Sequence, residues 1–435
     1  MPTGGRVQYI EPSPHRKGSA YYAVYRWLLG DYHPYIYRTN DFGTTWTLLT
    51  DGKNGIPANH PTRTLQEDPN RRGLLYAGTE FGLFVSFDDG AHWQSFQMNL
   101  PLTPVMDLLV HKNDLIVATQ GRALWIMDDL TPLRQIEAAV ASADAHLFKP
   151  RDAYRLRLGG GRGGDWPENP PDGVMLFYRF AKPPRGDATI EIRDKAGALV
   201  RTFTTTGAGT KDEVFQAMRT PTVTIVGAPK VLTTPGMHRL VWDLRYPPAY
   251  LAPGVNEWGS EPRVARVTGD TKGPLAMPGT YTVTLKSTDG WSQSQTFDVK
   301  LDPRVDVPTA ELQATFDLSI KARDRLTDIQ LGVAKGQVRV KELDRAIAAG
   351  GTAARDATRS KAEIEAILSK LYKYKLRGDH ADLHPELSTD YANILTLISG
   401  ADGPPTSNAY PRMEELDLRF NDLMGRLRKL LAPIM

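Results

Sequence analysis

The sequence predicts a mainly β fold with an α-helical tail. Short runs in which apolar and polar residues alternate, separated by Gly, Asp and Asn, continue to about residue 300 and are typical of strands joined by tight turns. Similar segments recur at intervals of 40 to 47 residues, the length of one four-stranded propeller blade. Beyond Pro303, apolar residues recur at helical spacing. Together these patterns predict a partial β-propeller of about three blades, a β-sandwich and an antiparallel helical bundle.

The strands of the three predicted blades, within residues 1–137, follow from this alternation. They are 7–10, 21–25, 35–38 and 46–49; then 64–66, 73–79, 83–87 and 93–96; then 105–111, 115–119, 124–127 and 133–136. Closed propellers have about four to eight blades, so three blades leave both end blades without a neighbour. We therefore expect that the chain is the C-terminal part of a longer propeller, or that a second chain completes the ring.

The remaining elements are predicted in the order linker, sandwich and bundle. An Ala-rich linker covers 138–150, and the glycine cluster at 159–164 is a flexible connection within the sandwich region, 151–305. The sandwich strands are 174–180, 189–194, 199–204, 236–244, 280–287 and 296–300. The bundle, 306–435, contains helices at 309–349, 355–373, 385–399 and 412–431.

The composition is that of a folded multidomain protein. Its 435 residues exceed the size at which one core stops growing, and 41% apolar and 24% charged residues exclude a disordered chain. A formal charge of +3 favours neither a nucleic-acid nor a membrane partner. Because there are no cysteines, disulfides, thiolate metal sites and cysteine nucleophiles are excluded. We predict no cofactor and no metal site, since His380 and His384 lack the glutamate of a metallopeptidase helix and precede a proline.

One turn motif, Ser/Thr-x-Asp-x-Gly-x-x-Trp, occurs twice, with its aspartates 47 residues apart. The fixed positions are Thr39, Asp41, Gly43 and Trp46 in the first copy, and Ser86, Asp88, Gly90 and Trp93 in the second. The carboxylate can accept backbone N–H bonds across the turn, glycine supplies a positive φ, and Trp covers the hairpin. This chemistry explains every fixed position, so we interpret the aspartates as turn staples and not as catalytic groups. The motif is the Asp-box repeat, which identifies a propeller and not an activity.

A wider resemblance covers nearly the whole chain. The segments that carry it in the blades read AGTEFGLFVSFDDGAHW, NLPLTPVMDLLVH and ATQGRALWIMDDLTPLRQI. They resemble bacterial proteins with sortilin-like propellers, which are commonly labelled glycosyl hydrolases of the sortilin or Asp-box (BNR) type. The later segments GMHRLVWDLRYPP and PGTYTVTLKSTDGWSQSQTFDVKLDPR resemble the immunoglobulin-like domain of these proteins, and PPTSNAYPRMEELDLRFNDLMGRLRKLL resembles their helical tail. The resemblance implies an exported, periplasmic or extracellular protein, although MPTGGRVQYI is not a secretory signal.

Polar residues of the loops on one propeller face are the candidate ligand-binding set. They are Asn59, His60, Arg63, Glu80, Gln120 and Arg122. Gln120 stands where the resemblance leads us to expect histidine, so any role of that imidazole is absent. A glycoside hydrolase needs two carboxyl groups about 5 to 10 Å apart, and Glu80 is the single acid in this set. The alternative interpretation is that these groups only bond to one another and to water.

Two functions remain open from the sequence. The first is a ligand- or protein-binding propeller module with scaffold domains, which binds a peptide, a glycan or a partner protein on the propeller face. The alternative is a glycoside hydrolase that acts on glycans, with Glu80 as one of the acidic residues.

Overall fold

The computed structural model describes residues 3–157, 169–205, 229–250, 271–372 and 386–431. The glycine cluster at 159–164 and the His380–His384 segment lie outside these ranges. Contacts divide the chain into two units, Met1–Asp144 and Ala145–Met435. The fold is mainly β, with several antiparallel sheets and a C-terminal helical region. The domain boundaries drawn from the sequence stay a prediction.

The first unit contains three antiparallel sheets whose strands follow one another in chain order. The first sheet is β1 (Arg6–Pro12), β2 (Ala20–Tyr25), β3 (Ile36–Thr39) and β4 (Thr47–Leu48). The second is β5 (Thr62–Glu67), β6 (Leu75–Thr79), β7 (Gly82–Ser86) and β8 (Gln94–Ser95). The third is β9 (Val105–His111), β10 (Asp114–Thr119) and β11 (Leu124–Met127). Each of these strands overlaps the strand predicted at its place, because local alternation and turn residues determine both.

The second sheet is apolar on the face that contacts the first sheet. Leu65, Ala77 and Phe84 lie opposite one another on β5, β6 and β7. They share one buried core with Tyr21 and Ile36 of the first sheet. All five side chains are buried, so this face is covered completely.

The other face of the second sheet is equally apolar and contacts the third sheet. Tyr76 and Val85 are paired on β6 and β7, and they share a core with Leu108 and Val117 of β9 and β10. A sheet that is buried on both faces needs apolar residues at successive positions, which explains why every residue of β6 and β7 is buried.

The predicted fourth strand of the third sheet, 133–136, is wrong. The chain there forms a short helix, α1 (Thr131–Arg134), with Pro132 in its first turn, where the fixed φ of proline favours a helix start. Leu133 is buried in the core that the second and third sheets share. The guanidinium of Arg71 donates hydrogen bonds to the carbonyls of Leu133 and Ile136, the latter at 2.6 Å, so a side chain takes up these acceptors.

A second short helix and two sheets come next in the chain. The helix, α2 (Ala138–Ser142), lies in the predicted linker, and β12 begins before that linker ends. One sheet has the order β12 (Ala145–Leu147), β14 (Val174–Phe180), β17 (Gly236–Trp242). The other has the order β13 (Ala153–Arg155), β19 (Ser292–Leu301), β18 (Gly279–Ser287), β15 (Ala188–Asp194), β16 (Leu199–Thr204). The two sheets enclose one core around Trp242. Short strands between turn signals predict an antiparallel sandwich, but β13 pairs with β19 in parallel.

Four helices form the C-terminal region, and each overlaps a predicted helix. They are α3 (Thr309–Ala349), α4 (Ala353–Leu371), α5 (Leu387–Ser399) and α6 (Ala409–Leu431), and they share one core. Two glycines of α3 allow close approach: a Cβ at Gly332 would lie 2.7 Å from Cε of Met424, and one at Gly336 would lie 2.7 Å from Leu368. Among the described helices, none is both long enough and apolar enough to span a membrane.

A buried ion cluster joins the sheets of the second unit to the loop between α5 and α6. Oδ1 of Asp402 lies 2.6 Å from the guanidinium of Arg155 and 3.0 Å from that of Arg157. Arg155 also donates to the carbonyl of Ala276 at 2.9 Å. Burial acts to raise the pKa of Asp402, but the hydrogen bonds and charges of the two arginines outweigh it and lower the pKa.

We expect Asp402→Ala to lower the free energy of unfolding by about 3–5 kcal/mol, because it leaves the buried Arg155 without its counter-charge. Urea unfolding at neutral pH measures this. The matched control is Asp422→Ala, since that exposed carboxylate lies 3.8 Å from Arg426 and its loss changes little. Equal effects of the two substitutions would show that the cluster does not stabilise the unit.

Candidate functional site

The two motif copies form similar hydrogen-bonded turns, which we call the aspartate turns (residues 39–46 and 86–93). In the first, Oδ1 of Asp41 accepts hydrogen bonds from Thr39 Oγ1 and Thr45 N, both at 2.8 Å. Gly43 has a φ of 86° and donates its N–H to Thr39 Oγ1 at 2.9 Å. Hydrogen bonds from the side chain and backbone of Thr45 lower the pKa of Asp41 to about 2. The carboxylate is therefore a turn acceptor.

The second aspartate turn repeats this geometry. Oδ1 of Asp88 accepts from Ser86 Oγ and from His92 N, both at 2.9 Å, and Nδ1 of His92 lies 2.7 Å from Oδ2. Gly90 again has a φ of 86° and donates to Ser86 Oγ at 2.9 Å. The tryptophans differ, because Trp46 donates within its own turn to Gly43, whereas the buried Trp93 donates to Leu49 of the first-sheet region.

Two of the predicted ligand-binding residues meet, together with a tyrosine that the sequence did not single out. The guanidinium of Arg63 forms an ion pair with Oε1 of Glu80. The hydroxyl of Tyr25 donates to the same oxygen at 2.9 Å and accepts from Nη2 of Arg63 at 2.9 Å. Arg63 also lies over the ring of Tyr25, 4.3 Å from its centroid. Burial and the bond to Glu80 raise the pKa of Tyr25 to about 12. We call these three residues the rim cluster.

Among the described residues, the other four predicted residues form no hydrogen bond with the side chains of this ion pair. Nδ1 of His60 lies 2.9 Å from Oδ1 of Asn59, and its ring packs edge-on against Phe81 and Phe84. Burial lowers the pKa of His60. Gln120 and Arg122 are exposed beyond the end of β10, where they use backbone groups: Gln120 N donates to Pro104, and the Arg122 carbonyl accepts from Trp125.

Sequence reasoning missed an ionic contact between the first and second sheets, which we call the Asp89 clamp. Oδ2 of Asp89 lies 2.6 Å from Nη1 of Arg16 and 2.6 Å from Nη1 of Arg38. The hydroxyl of Tyr21 donates to Oδ1 at 2.7 Å. These partners are between 51 and 73 residues from Asp89 in the chain, so no local pattern could indicate the contact.

Two buried carboxyl groups were also missed. Glu11 of β1 accepts a hydrogen bond from the backbone N–H of Glu67 at 3.4 Å, and the hydroxyl of Tyr9 lies 3.5 Å from its Oε2. Burial, with smaller contributions from the charges of Glu67 and Asp107, raises the pKa of Glu11 to about 7. Glu67 is fully buried, and its Oε1 accepts from Gly73 N at 3.1 Å. Among the described residues, its Oε2 has no hydrogen-bond partner.

In the part of the chain that the structure describes, no group of three or more His, Asp or Glu side chains could hold a metal ion.

No protein-family model and no curated protein matches the sequence. One solved structure to which the chain is similar is the Niastella koreensis GH74 enzyme: the TM-score is 0.24 and the identity 13%, over 67% of this chain and 38% of that one. Another is CopC from Methylosinus trichosporium OB3b, with a TM-score of 0.14 and 16% identity over 30% of this chain and 78% of that one. The chain thus spans well under half of the GH74 enzyme, a distant structural neighbour, and neither score identifies an activity.

The raised pKa of Glu11 predicts a pH-dependent stability. A folded-state pKa of about 7, above the ordinary 4.5, means that the fold favours the neutral acid, so this contribution is complete below pH 4.5 and is lost as the pH rises through 7. In the parent chain, we expect the free energy of unfolding to decrease by roughly 2–3 kcal/mol from pH 5 to pH 8 through this group, and Glu11→Gln abolishes that decrease. Urea titrations at both pH values measure it. Glu342→Gln, at an exposed glutamate of α3, is the control; the same pH slope in all three proteins would contradict the assignment.

The aspartate turns predict an order of stability effects. The carboxylate of Asp88 and the imidazole of His92 are exposed, so water replaces their contacts and Asp88→Ala costs about 1 kcal/mol. The motif alone leads us to expect that loss of the Asp88 carboxylate leaves buried backbone donors unsatisfied, and the exposure of Asp88 and His92 shows that this expectation is wrong. Ser86→Ala costs more, about 1–3 kcal/mol, because it leaves the buried N–H of Gly90 without an acceptor. Thermal and urea unfolding compare the two, and a larger loss for Asp88→Ala would reverse the assignment.

Proposed function

We propose that the first unit is a sortilin-like, Asp-box β-propeller segment that binds a peptide or an extended protein segment at the rim cluster, and that the second unit, with an immunoglobulin-like sandwich and a helical bundle, is its scaffold. The resemblance of the sequence to exported sortilin-like proteins supports the fold and a periplasmic or extracellular location. The three antiparallel sheets, packed face against face in chain order, agree with blades.

The observation that carries the proposal is the unused hydrogen-bonding capacity of the rim cluster. Both partners of Glu80 bind its Oε1, and among the described residues Oε2 has no hydrogen bond. Arg63 uses Nε and Nη2, which leaves Nη1 as a donor. A carboxylate oxygen and a guanidinium N–H side by side match the N–H and C=O of an extended peptide.

Exposed aromatic residues next in sequence to the rim cluster favour a peptide over a glycan with few apolar groups. Phe81 follows Glu80 in the sequence. Trp27 lies two residues after Tyr25, and the ring centroids of Trp27 and Tyr25 are 6.0 Å apart. Both Phe81 and Trp27 are exposed. Aromatic side chains beside a polar pair suit apolar peptide side chains that flank a hydrogen-bonded backbone.

The second candidate function is a glycoside hydrolase with Glu80 as one of its acidic residues. It rests on the sequence resemblance. Glu11, whose raised pKa would suit a general acid, is buried and bonds to Glu67, four residues along β5 from the Arg63 that pairs with Glu80. Against it, Glu80 is engaged by an arginine and a tyrosine, as expected of a carboxylate that holds a binding site together.

A peptide array probed with the full chain tests the proposal, followed by fluorescence polarisation with the best-binding peptide. We expect Glu80→Gln and Phe81→Ser each to weaken binding at least about tenfold, because each removes a central contact. Glu342→Gln on α3 is the matched control and leaves the affinity unchanged, and melting curves check that the variants fold. Absence of peptide binding, together with turnover of chromogenic glycosides that Glu80→Gln abolishes, would establish the hydrolase instead.

A further inference from the structure

The hairpins that join the first two strands of the first and second sheets share a second repeated motif, Pro-x-Arg-Lys/Arg-Gly. It covers residues 14–18 between β1 and β2 and residues 69–73 between β5 and β6. In both copies the last glycine has a positive φ, 82° at Gly18 and 74° at Gly73, so the two loops end in the same way. The third sheet has a shorter hairpin between β9 and β10, which carries Lys112. We call these three hairpins the basic tips.

The first cation of each motif copy is used within the protein. Arg16 binds Asp89 of the second aspartate turn in the Asp89 clamp. Arg71 donates to two backbone carbonyls in and after α1. Each of these arginines therefore connects its tip to a later part of the first unit.

The second cation of each copy is exposed, and Lys112 of the third tip is exposed as well. Lys17, Arg72 and Lys112 form no ion pair and no side-chain hydrogen bond with any other residue that the structure describes. The acids closest in sequence have other partners. Asp68 lies 3.0 Å from Arg134, and Asp114 accepts a hydrogen bond from the backbone N–H of Asp129 at 3.0 Å. Each tip therefore presents one cation that can bind an external anion.

Contacts between the tips place them side by side. Nε2 of His15 lies 2.7 Å from the carbonyl oxygen of Asp68, and Nδ2 of Asn70 donates to the carbonyl of Lys112 at 3.5 Å. Because packed sheets lie about 10 Å apart, the three cations follow one another at roughly that interval. This row lies at the opposite strand ends from the rim cluster, since Arg63 is at the start of β5 and the second tip follows its end.

An exposed aromatic ring lies beside the first tip. Phe42 is 80% exposed, and a Cβ at Gly18 would lie 2.8 Å from its ring, so the ring packs on the glycine that follows Lys17. An aromatic face can pack on the C–H groups of a sugar ring while a neighbouring cation binds an acidic group of the same chain. The first tip therefore combines the two contacts that an acidic sugar needs.

We propose that the row of basic tips binds an acidic polysaccharide, whose carboxylate or sulfate groups pair with Lys17, Arg72 and Lys112. A polysaccharide is favoured over an acidic peptide because a stiff chain with regularly spaced anions reaches all three tips at a smaller cost in conformational entropy. It is favoured over a nucleic acid because single strands are bound by aromatic rings that stack on successive bases, and the second tip, residues 69–73, contains no aromatic residue. The inference does not depend on the ligand at the rim cluster.

Binding of the full chain to polygalacturonate and to dextran sulfate tests the proposal and distinguishes carboxylate from sulfate groups. We expect at least one of the two to bind, and neutral dextran not to bind. Removal of the three cations is expected to weaken binding at least about tenfold, because three exposed ion pairs are lost. The triple variant that removes them is Lys17→Gln, Arg72→Gln, Lys112→Gln.

A second triple variant controls for net charge. It removes the same number of exposed lysines and arginines at positions outside the tips, and it is expected to bind like the parent chain. Its substitutions are Lys53→Gln, Lys195→Gln and Arg345→Gln. All six positions are exposed, so both variants keep the fold, which melting curves check. Failure of both polysaccharides to bind, or an equal loss of affinity in the two triple variants, would overturn the proposal.

The variant Phe42→Asn separates a polysaccharide from other polyanions. Phe42 has a φ of 57°, a conformation that asparagine adopts readily, so the turn is retained. We expect the variant to bind the polysaccharide at least about threefold more weakly, because the ring contact is lost. Poly-glutamate and single-stranded DNA are tested at the same salt concentration and are expected to bind the parent chain more weakly than the polysaccharide. Tighter binding of either one, or an unchanged polysaccharide affinity in Phe42→Asn, would overturn the assignment to a polysaccharide.

Discussion

The first unit depends on one constraint, which is that its sheets are apolar on both faces. Every residue of β6 and β7 is buried, so the second sheet is stable only with a neighbour on each side. The first sheet packs against the row formed by Leu65, Ala77 and Phe84. The third sheet packs against the pair Tyr76 and Val85 on the opposite face. The face-to-face order of the three sheets follows from this requirement, and it brings the strand ends that carry Tyr25, Arg63 and Glu80 together.

Apolar packing by itself does not fix how far one sheet slides over the next, because the attraction has no direction. The Asp89 clamp supplies the direction, since two guanidinium groups of the first sheet region reach one carboxylate of the second aspartate turn. Partly buried ion pairs of this kind contribute little net stability after desolvation, but their hydrogen bonds are directional. The clamp therefore adds a directional contact to the apolar packing of the two sheets.

The sequence was informative wherever the determining interaction is local. The strands, the aspartate turns and the four long helices follow from alternation, glycine and helical periodicity, and these were predicted within a few residues. The failures involve distant contacts: where α1 replaces a strand, Arg71, some sixty residues earlier, binds the carbonyls of Leu133 and Ile136 in addition to the local effect of Pro132. The parallel partner of β13 lies in β19, far along the chain. In the predicted site, Arg63 and Glu80 were found because they flank adjacent strands. Tyr25 was missed because it belongs to another sheet.

In the first unit, the residues of the repeated motif and the residues that occur once have different roles. In both aspartate turns, each carboxylate oxygen is already bonded within its own turn, so Asp41 and Asp88 have little capacity left for a ligand. Glu80 differs because its two partners converge on one oxygen. Binding of a ligand requires hydrogen-bonding groups that have no partner within the protein and that lie next to an apolar surface. A motif repeated in two equivalent turns would offer two equivalent weak sites. The side chains that occur once, at the ends of strands aligned by the repeats, are therefore where specificity can arise.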